Sequence, residues 1–341
     1  MIALGADTVR DGGRRMEARD FMPDEAVVAG IRTDIETYEG ERQRARRRVN
    51  WRLLVYLAAV AAAVVALAIG FNDFADPHEQ WHSTPHLYLY LGGLFAVIFA
   101  FWAASKPARD AQQKFREHLL PIVFGFIEDF HYRNKATPLS FDRLPSEAVG
   151  WFDRQHFDDA VSGKYEGFTF EFYEADLAAT GFAKRGETKF KGVVLAFQTI
   201  APFPGLLVAT HKANMVTSFF RGLFGDGDLE EITSGVAALG ENYEFRTDNP
   251  TAAQPLVRGR LAQALQWLGE TWPDEPARVA LRGEDGFLLL PSSKDFFELP
   301  PISEPLDYRK HIEPMIADMA TLLAIAALVR KVGASHDIET T

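Results

Sequence analysis

A chain of 341 residues without one cysteine has no disulfides and no thiolate nucleophile, and would have to build any zinc site from His and carboxylates. Its 47 acidic residues outnumber 36 basic ones, for a formal net charge of −11. So acidic a surface argues against a nucleic-acid partner, whose phosphates are met by Lys and Arg.

Residues 1–23 are polar, contain glycine and lack periodicity, and are expected to be a disordered N-terminus. From Asp24 the spacing of Ala26, Val27, Ile31 and Ile35 predicts a lead helix over 24–51, with Gly30 and Gly40 each costing about 1 kcal/mol relative to Ala. Two apolar runs follow, 53–71 and 87–104, both uncharged. At ~1.5 Å per residue the first reaches about 29 Å, which matches a hydrocarbon core of roughly 30 Å. They predict a transmembrane helical hairpin over 52–104 with a loop at 72–86. Trp51, Trp81 and Trp102 sit where interface anchors belong.

Arg46, Arg47, Arg48 and Arg52 precede the first run, together with Arg42 and Arg44. Lys106 and Arg109 follow the second, with Lys114 and Arg116. The loop carries only Asp73, Asp76 and Glu79 as charges. By the positive-inside rule both termini are cytoplasmic, the loop faces outward, and the protein is a two-pass protein of the inner membrane. The arginine cluster is a topology signal that also touches anionic lipid. Small residues recur at every fourth position, Ala58, Ala62, Ala66 and Gly70 in the first helix and Gly92, Ala96, Ala100 and Ala104 in the second, which suggests that the helices meet along these stripes. His78, His82 and His86 share the loop with Asp76 and Glu79, but Pro77 and Pro85 break the helical geometry that would align them as metal ligands, so they read as solvated histidines.

Beyond the hairpin, Phe115, Leu119, Ile122, Phe126 and Phe130 predict an amphipathic connecting helix over 105–135, kinked or interrupted at Pro121. A loop-like stretch with a helical turn at 146–152 leads into a cytoplasmic α+β domain over 136–333. There Phe168, Phe170 and Phe172 alternate with Thr169, Glu171 and Tyr173 as in a half-buried strand. Residues 190–198, 205–211 and 243–246 read as further strands and 254–267 as a helix. The acidic turn 225–228 lacks the calcium-loop pattern, with Glu231 at the glycine position and Ala237 at the bidentate acid. Apolar runs on either side of Gly283, Glu284, Asp285 and Gly286 predict a hairpin. Residues 306–331 predict a helix that becomes apolar all round, a buried helix whose 11-residue uncharged segment is too short to span a bilayer. Residues 334–341 read as a flexible tail.

This layout, with Tyr165, Gly167 and Phe168 ahead of Glu174, Phe190 to Val193, Phe203, Gly205, Tyr243 to Asp248 and the Gly283 to Gly286 turn, resembles a bacterial family of membrane proteins of unknown function. The resemblance implies a bacterial origin and an α+β domain behind a membrane hairpin, and brings no catalytic residues. His131, His156 and His211 are the candidate imidazoles, and Asp158, Asp159 and Glu174 the candidate carboxylate group. No spacing joins them into a catalytic motif, so no catalytic, cofactor-binding or metal residues and no cofactor are expected. The expected function is a membrane-anchored binding or scaffold protein whose partners are the lipid bilayer and a protein at the cytoplasmic face. An accessory subunit of a transport or envelope complex is the alternative, and a membrane-tethered enzyme the less favoured third.

Overall fold

Residues Glu25–Asn72 form one uninterrupted helix, α1, of 48 residues and hence about 72 Å. The lead helix and the first apolar run are therefore a single rod. Gly30 and Gly40 lie inside it without bending the chain away, because Ile31, Ile35, Tyr38 and Ala45 bury one face and outweigh their cost. In this computed structural model the described residues are 9–11, 14–16, 24–72, 84–180, 187–212, 229–271, 276–293 and 296–330. They divide into a hairpin unit, Asp24–Ile122 with Leu299–Ile312, and an α+β unit, Met1–Pro23, Val123–Glu298 and Glu313–Thr341. His78, His82, Trp81, the acidic turn at 225–228 and the tail at 334–341 lie outside the described residues. So does most of 1–23, where β1 (Val9–Asp11) and β2 (Arg14–Met16) pair antiparallel.

In the hairpin unit, α2 (Thr84–Ala104) runs beside α1 and is followed by α3 (Lys106–Val123). The break between them falls at Ser105, where Pro107 has no amide hydrogen with which to continue the ladder. Both α1 and the α2 to α3 stretch are long and apolar enough to cross a membrane. Their contact face is narrow. His86, Ala100 and Ala104 of α2 and Ala68 of α1 are buried, and a Cβ added to Gly93 would lie 3.0 Å from Val64. His86 donates from Nε2 to the Ala68 carbonyl, 3.0 Å away, and pins the start of α2 to the end of α1. Most other side chains point away from protein, with Phe95 and Phe99 63% and 65% exposed.

The first half of α1 makes a different kind of contact. Tyr38 stacks on Phe115 of α3 with ring centroids 4.0 Å apart, and the strap Leu299–Ile312 lies against this pair of helices. Buried Arg42 donates to the Ile302 carbonyl and to Glu39, Glu39 accepts from the Leu306 amide at 3.0 Å, and Gln112 donates to the Pro300 carbonyl at 2.9 Å. Burial pushes the Glu39 carboxyl up, but the Arg42 hydrogen bond, the Leu306 amide and the Arg42 charge together hold it below 4.5. A lowered carboxyl stabilises the fold fully above its unfolded value and loses that contribution as pH falls through the folded one. The protection factor of the Leu306 amide, which takes out the intrinsic slowing of exchange in acid, is therefore expected to be high at pH 7 and to fall selectively as pH drops below the ordinary carboxylate range, and a Glu39→Gln chain is expected to lack this acid step.

The α+β unit begins at Val123. The connecting helix expected over 105–135 stops there, and Glu128–Asn134 form strand β3. Pro121 removes one helical hydrogen bond two residues before the end, and the aromatic residues that mimic a helical stripe cluster across the turn instead. Phe124 meets Phe130 and Phe297 at 5.8 and 5.9 Å. Strands β4 (Arg154–Tyr165), β5 (Phe168–Ala179), β6 (Glu187–His211), β7 (Glu230–Ile232), β8 (Tyr243–Thr247) and β9 (Arg278–Pro291) complete a seven-stranded antiparallel sheet in the order β3-β4-β5-β6-β8-β7, with β9 on β6. The two strands expected at 190–198 and 205–211 are one 25-residue strand, irregular around Phe203.

The hairpin expected at Gly283 to Gly286 is absent. Strand β9 runs straight through, with Gly286 opposite Phe197, Asp285 opposite Gln198 and Gly283 opposite Phe203. The turn-forming residues serve a bulge here, because the flanking apolar residues gain more from one long ladder than from folding back. The ring of Phe197 occupies the space above Gly286 and would lie 2.4 Å from an added Cβ.

Strand β5 is covered on both faces rather than half-buried. Phe172 meets Phe296 and Phe297 on one side, while Tyr173 belongs to the cluster of Phe141, Phe157, Val194 and Leu289 on the other. Short helices α4 (Ser146–Val149) and α5 (Ala237–Asn242) precede α6 (Pro250–Arg258) and α7 (Arg260–Thr271), which divide the helix expected at 254–267 at Gly259. A π-turn (Tyr308–Ile312) leads to α8 (Glu313–Arg330), whose Ile316, Met319, Leu323 and Ile325 are fully buried. Gly205, at φ 136°, lets Asp248 Oδ1 accept the Leu206 amide at 2.7 Å, and an added Cβ would lie 2.1 Å from that oxygen. Gly205→Ala is expected to cost about 2 to 4 kcal/mol of α+β stability through strain and the lost bond, read as a lower unfolding temperature.

Candidate functional site: a groove across the sheet

The segment from Phe141 to Val149 covers one face of the sheet and stops short of its end. Past that limit the sheet is open, and a groove of about 660 Å³ crosses β3, β4, β5, β6 and β9. Phe170, Ala196 and Phe197 contribute apolar lining, and the polar rows are His131, Ser162, Lys164, Thr169, Glu171 and Gln198. Antiparallel register sets these rows, since Ser162 faces His131 on β3 and Glu171 on β5, and Glu171 faces Ala196 on β6.

Glu171 anchors the edge of the cover. Its buried carboxylate accepts from the amides of Leu139 (3.0 Å) and Ser140 (2.7 Å) and pairs with Arg133. Four of the remaining charges come in two pairs, and Glu284 stands exposed outside them. Arg143 Nε donates to Asp285 at 3.0 Å, and Lys164 donates to Asp129 at 2.7 Å. The Lys164 hydrogen bond and charge hold the Asp129 carboxyl below its usual range, and Asp129 in turn raises Lys164. His131 Nδ1 donates to the Asp129 carbonyl at 2.7 Å. Burial drives the Tyr173 hydroxyl, beside Ser140, far above the ordinary phenol range, so it stays protonated. Leu139 stands on the rim, 72% exposed. The set offers hydrogen-bond donors and acceptors around apolar surface.

The three candidate imidazoles are apart. His131 is in the groove and His156 on β4. His211 ends β6 beside the Tyr243 ring, where burial lowers its pKa. Asp158 and Glu174 do line a common depression of about 270 Å³ with His156, Asp176 and Lys191, and there Glu174 accepts the Phe296 amide at 2.6 Å. Asp159 is not among them, being fully buried and bonded to Tyr132 and to Asn134 (2.8 Å). Among the described residues no three His, Asp or Glu side chains are grouped to hold a metal ion.

In the hairpin, Ala100 and Ala104 are buried and Ala96 and Gly70 half-buried, whereas Ala58, Ala62, Ala66 and Gly92 are exposed. The face that α1 turns to α2 holds Val60, Val64 and Ala68 instead. Trp51 and Trp102 are exposed, and Arg109 donates to the Trp102 carbonyl (2.9 Å) and lies 5.3 Å from its ring centroid. Arg46, Arg47, Arg48, Arg52 and Lys106 are exposed. Sequence reasoning singles out neither Glu171 nor Arg133, Arg143 and Asp285, because alternation puts Glu171 on the outward face and only register shows what it meets.

No family model matches the sequence, and no curated protein matches it. Among solved structures, the crystal structure of the mycobacterial trehalose monomycolate transport factor A, TtfA, is similar at 12% identity and a TM-score of 0.29, over 57% of this chain and 88% of that one. So low a likeness carries no statement about activity.

Glu171→Gln is expected to weaken the anchor, because an amide group would replace one acceptor oxygen with a donor facing other donors. A loss of about 1 to 3 kcal/mol in unfolding free energy should accompany faster hydrogen exchange at Leu139 and Ser140 with none at β8.

Proposed function

We propose that the protein is a membrane-anchored binding module, with α1 and α2 holding it in the bilayer and the groove of the α+β unit receiving a partner at the cytoplasmic face. The observation that carries this reading is the exposure of Phe95, Phe99 and their neighbours on two membrane-length helices joined to a folded domain. Side chains of this kind exposed to water would be an aggregation site, while in hydrocarbon they need no protein partner. The groove supports the binding half, because most of its charges are already neutralised in pairs and its rim presents an exposed leucine. A second reading, an accessory subunit of a transport or envelope complex, draws on the row Ala58, Ala62 and Ala66, a smooth helix face turned away from α2 and open to another membrane helix.

The absence of cysteine makes topology directly testable. A single cysteine at Ser83 is expected to react with an impermeant maleimide from outside the cell, and one at Ser146 only after permeabilisation. The opposite labelling would invert the orientation. A photo-crosslinker at Leu139 should give one discrete adduct in cells that a crosslinker at Glu230 does not give. Identical adducts at both positions, or none from the groove, would remove it as the binding surface.

A further inference from the structure

The basic end of the hairpin carries a charge problem that the chain does not solve for itself. Arg44, Arg48 and Arg52 follow one another at four-residue intervals on α1, so they rise in one row, and all three are exposed. Like charges at this spacing repel. No acidic residue occurs on α1 after Glu41. Among the described residues none of the three arginines has a carboxylate within ion-pair reach. Arg44 bonds only back to the Gly40 carbonyl of its own helix, at 3.1 Å. Arg47 adds to the positive potential from beside the row.

The row stands at a defined depth. The uncharged run begins at Leu53, directly after Arg52, and the helix continues unbroken through the boundary. Eight residues of helix span about 12 Å, while the headgroup layer on each side of a bilayer is roughly 5 to 8 Å thick. Arg52 and Arg48 thus stand among headgroups and Arg44 just above them, within the ~8 Å over which charge acts at physiological salt.

The residue type is informative as well. Every cation of α1 from residue 42 to residue 52 is arginine and none is lysine. A topology signal has no need of that choice, since lysine serves it equally. Recognition of phosphate by a planar two-pronged donor does need it.

We propose that Arg44, Arg48 and Arg52 form a binding row for anionic phospholipid headgroups, whose phosphates bridge successive guanidinium groups. The proposal rests on the membrane-anchored reading and adds a lipid class to it. Each phosphate placed between two arginines replaces a repulsion by two charge-assisted hydrogen bonds.

The test uses the full chain reconstituted in vesicles of brominated phosphatidylcholine or brominated phosphatidylglycerol, with quenching of Trp51 and Trp102 as the readout. Wild type is expected to prefer the glycerol lipid by roughly fivefold or more, and high salt should reduce this preference. The R44Q/R48Q/R52Q chain should show no preference. The R44K/R48K/R52K chain, with charge and topology kept, should lose most of it. Equal quenching of wild type by both lipids overturns the headgroup site and leaves the anchor standing, whereas quenching by neither overturns the anchor and the site together. A lysine chain with undiminished preference also overturns the proposal, since diffuse charge would then suffice. Should the glutamine chain fail to insert, seen as lost quenching by the choline lipid, the wild-type salt series and the lysine chain decide the matter.

Discussion

Apolar side chains without a protein partner are the constraint on which the rest of this chain depends. Along α1 and α2 the leucines, phenylalanines and valines are mostly exposed, and the strip shared by the two helices is only wide enough for Ala68, Ala100, Ala104 and the buried His86. A bilayer removes the cost of the remainder, and it admits such segments because a helix satisfies its own backbone groups. Once the hairpin is placed in hydrocarbon, the other features of this unit gain a reason. Pro107 ends α2 where the uncharged run ends, Arg109 caps that end against Trp102, and arginines crowd the corresponding level of α1.

The α+β unit answers a different demand, that of burying a sheet on both faces. Its spine is β6, whose first half lies between β5 and β9 and whose second half lies between β8 and β9. A strand of this length can change partners midway because the irregularity around Phe203 lets it bend. Helix α8 and the Phe296 and Phe297 pair cover one face, and the segment from Phe141 to Val149 covers part of the other. The groove is what that partial cover leaves behind, and Glu171 fixes where the cover stops. The chain does not simply pass from the hairpin unit to the sheet, because residues 299–312 return to the hairpin unit before α8 begins.

The hairpin was legible because its signal is compositional: uncharged runs of bilayer length need no knowledge of distant contacts. The α+β class and the buried C-terminal helix were legible for the same reason, as period-two aromatics and an all-round apolar face. Elements misread from sequence share one cause. Phe130 continues a helical spacing from Phe126, and Asp285 with Gly286 has turn chemistry, yet Phe130 and Asp285 both lie in strands because a long ladder with β4 or β6 outweighs local preference. The groove was invisible for a stronger reason. Its members come from five strands and one loop, and nothing in the sequence around Glu171 states that Arg133 and the Leu139 and Ser140 amides converge on it.

The charged groups along the groove are held by one another. Lys164 keeps the Asp129 carboxyl below its usual range and Asp129 raises Lys164, so the pair stays charged. Glu171 is committed to two backbone amides and a guanidinium, so it cannot turn to a substrate without releasing the loop it holds. What the groove leaves exposed is the ring of His131, the carboxylate of Glu284 and the side chain of Leu139. They lie beside a surface most of whose charges are spent on keeping its shape.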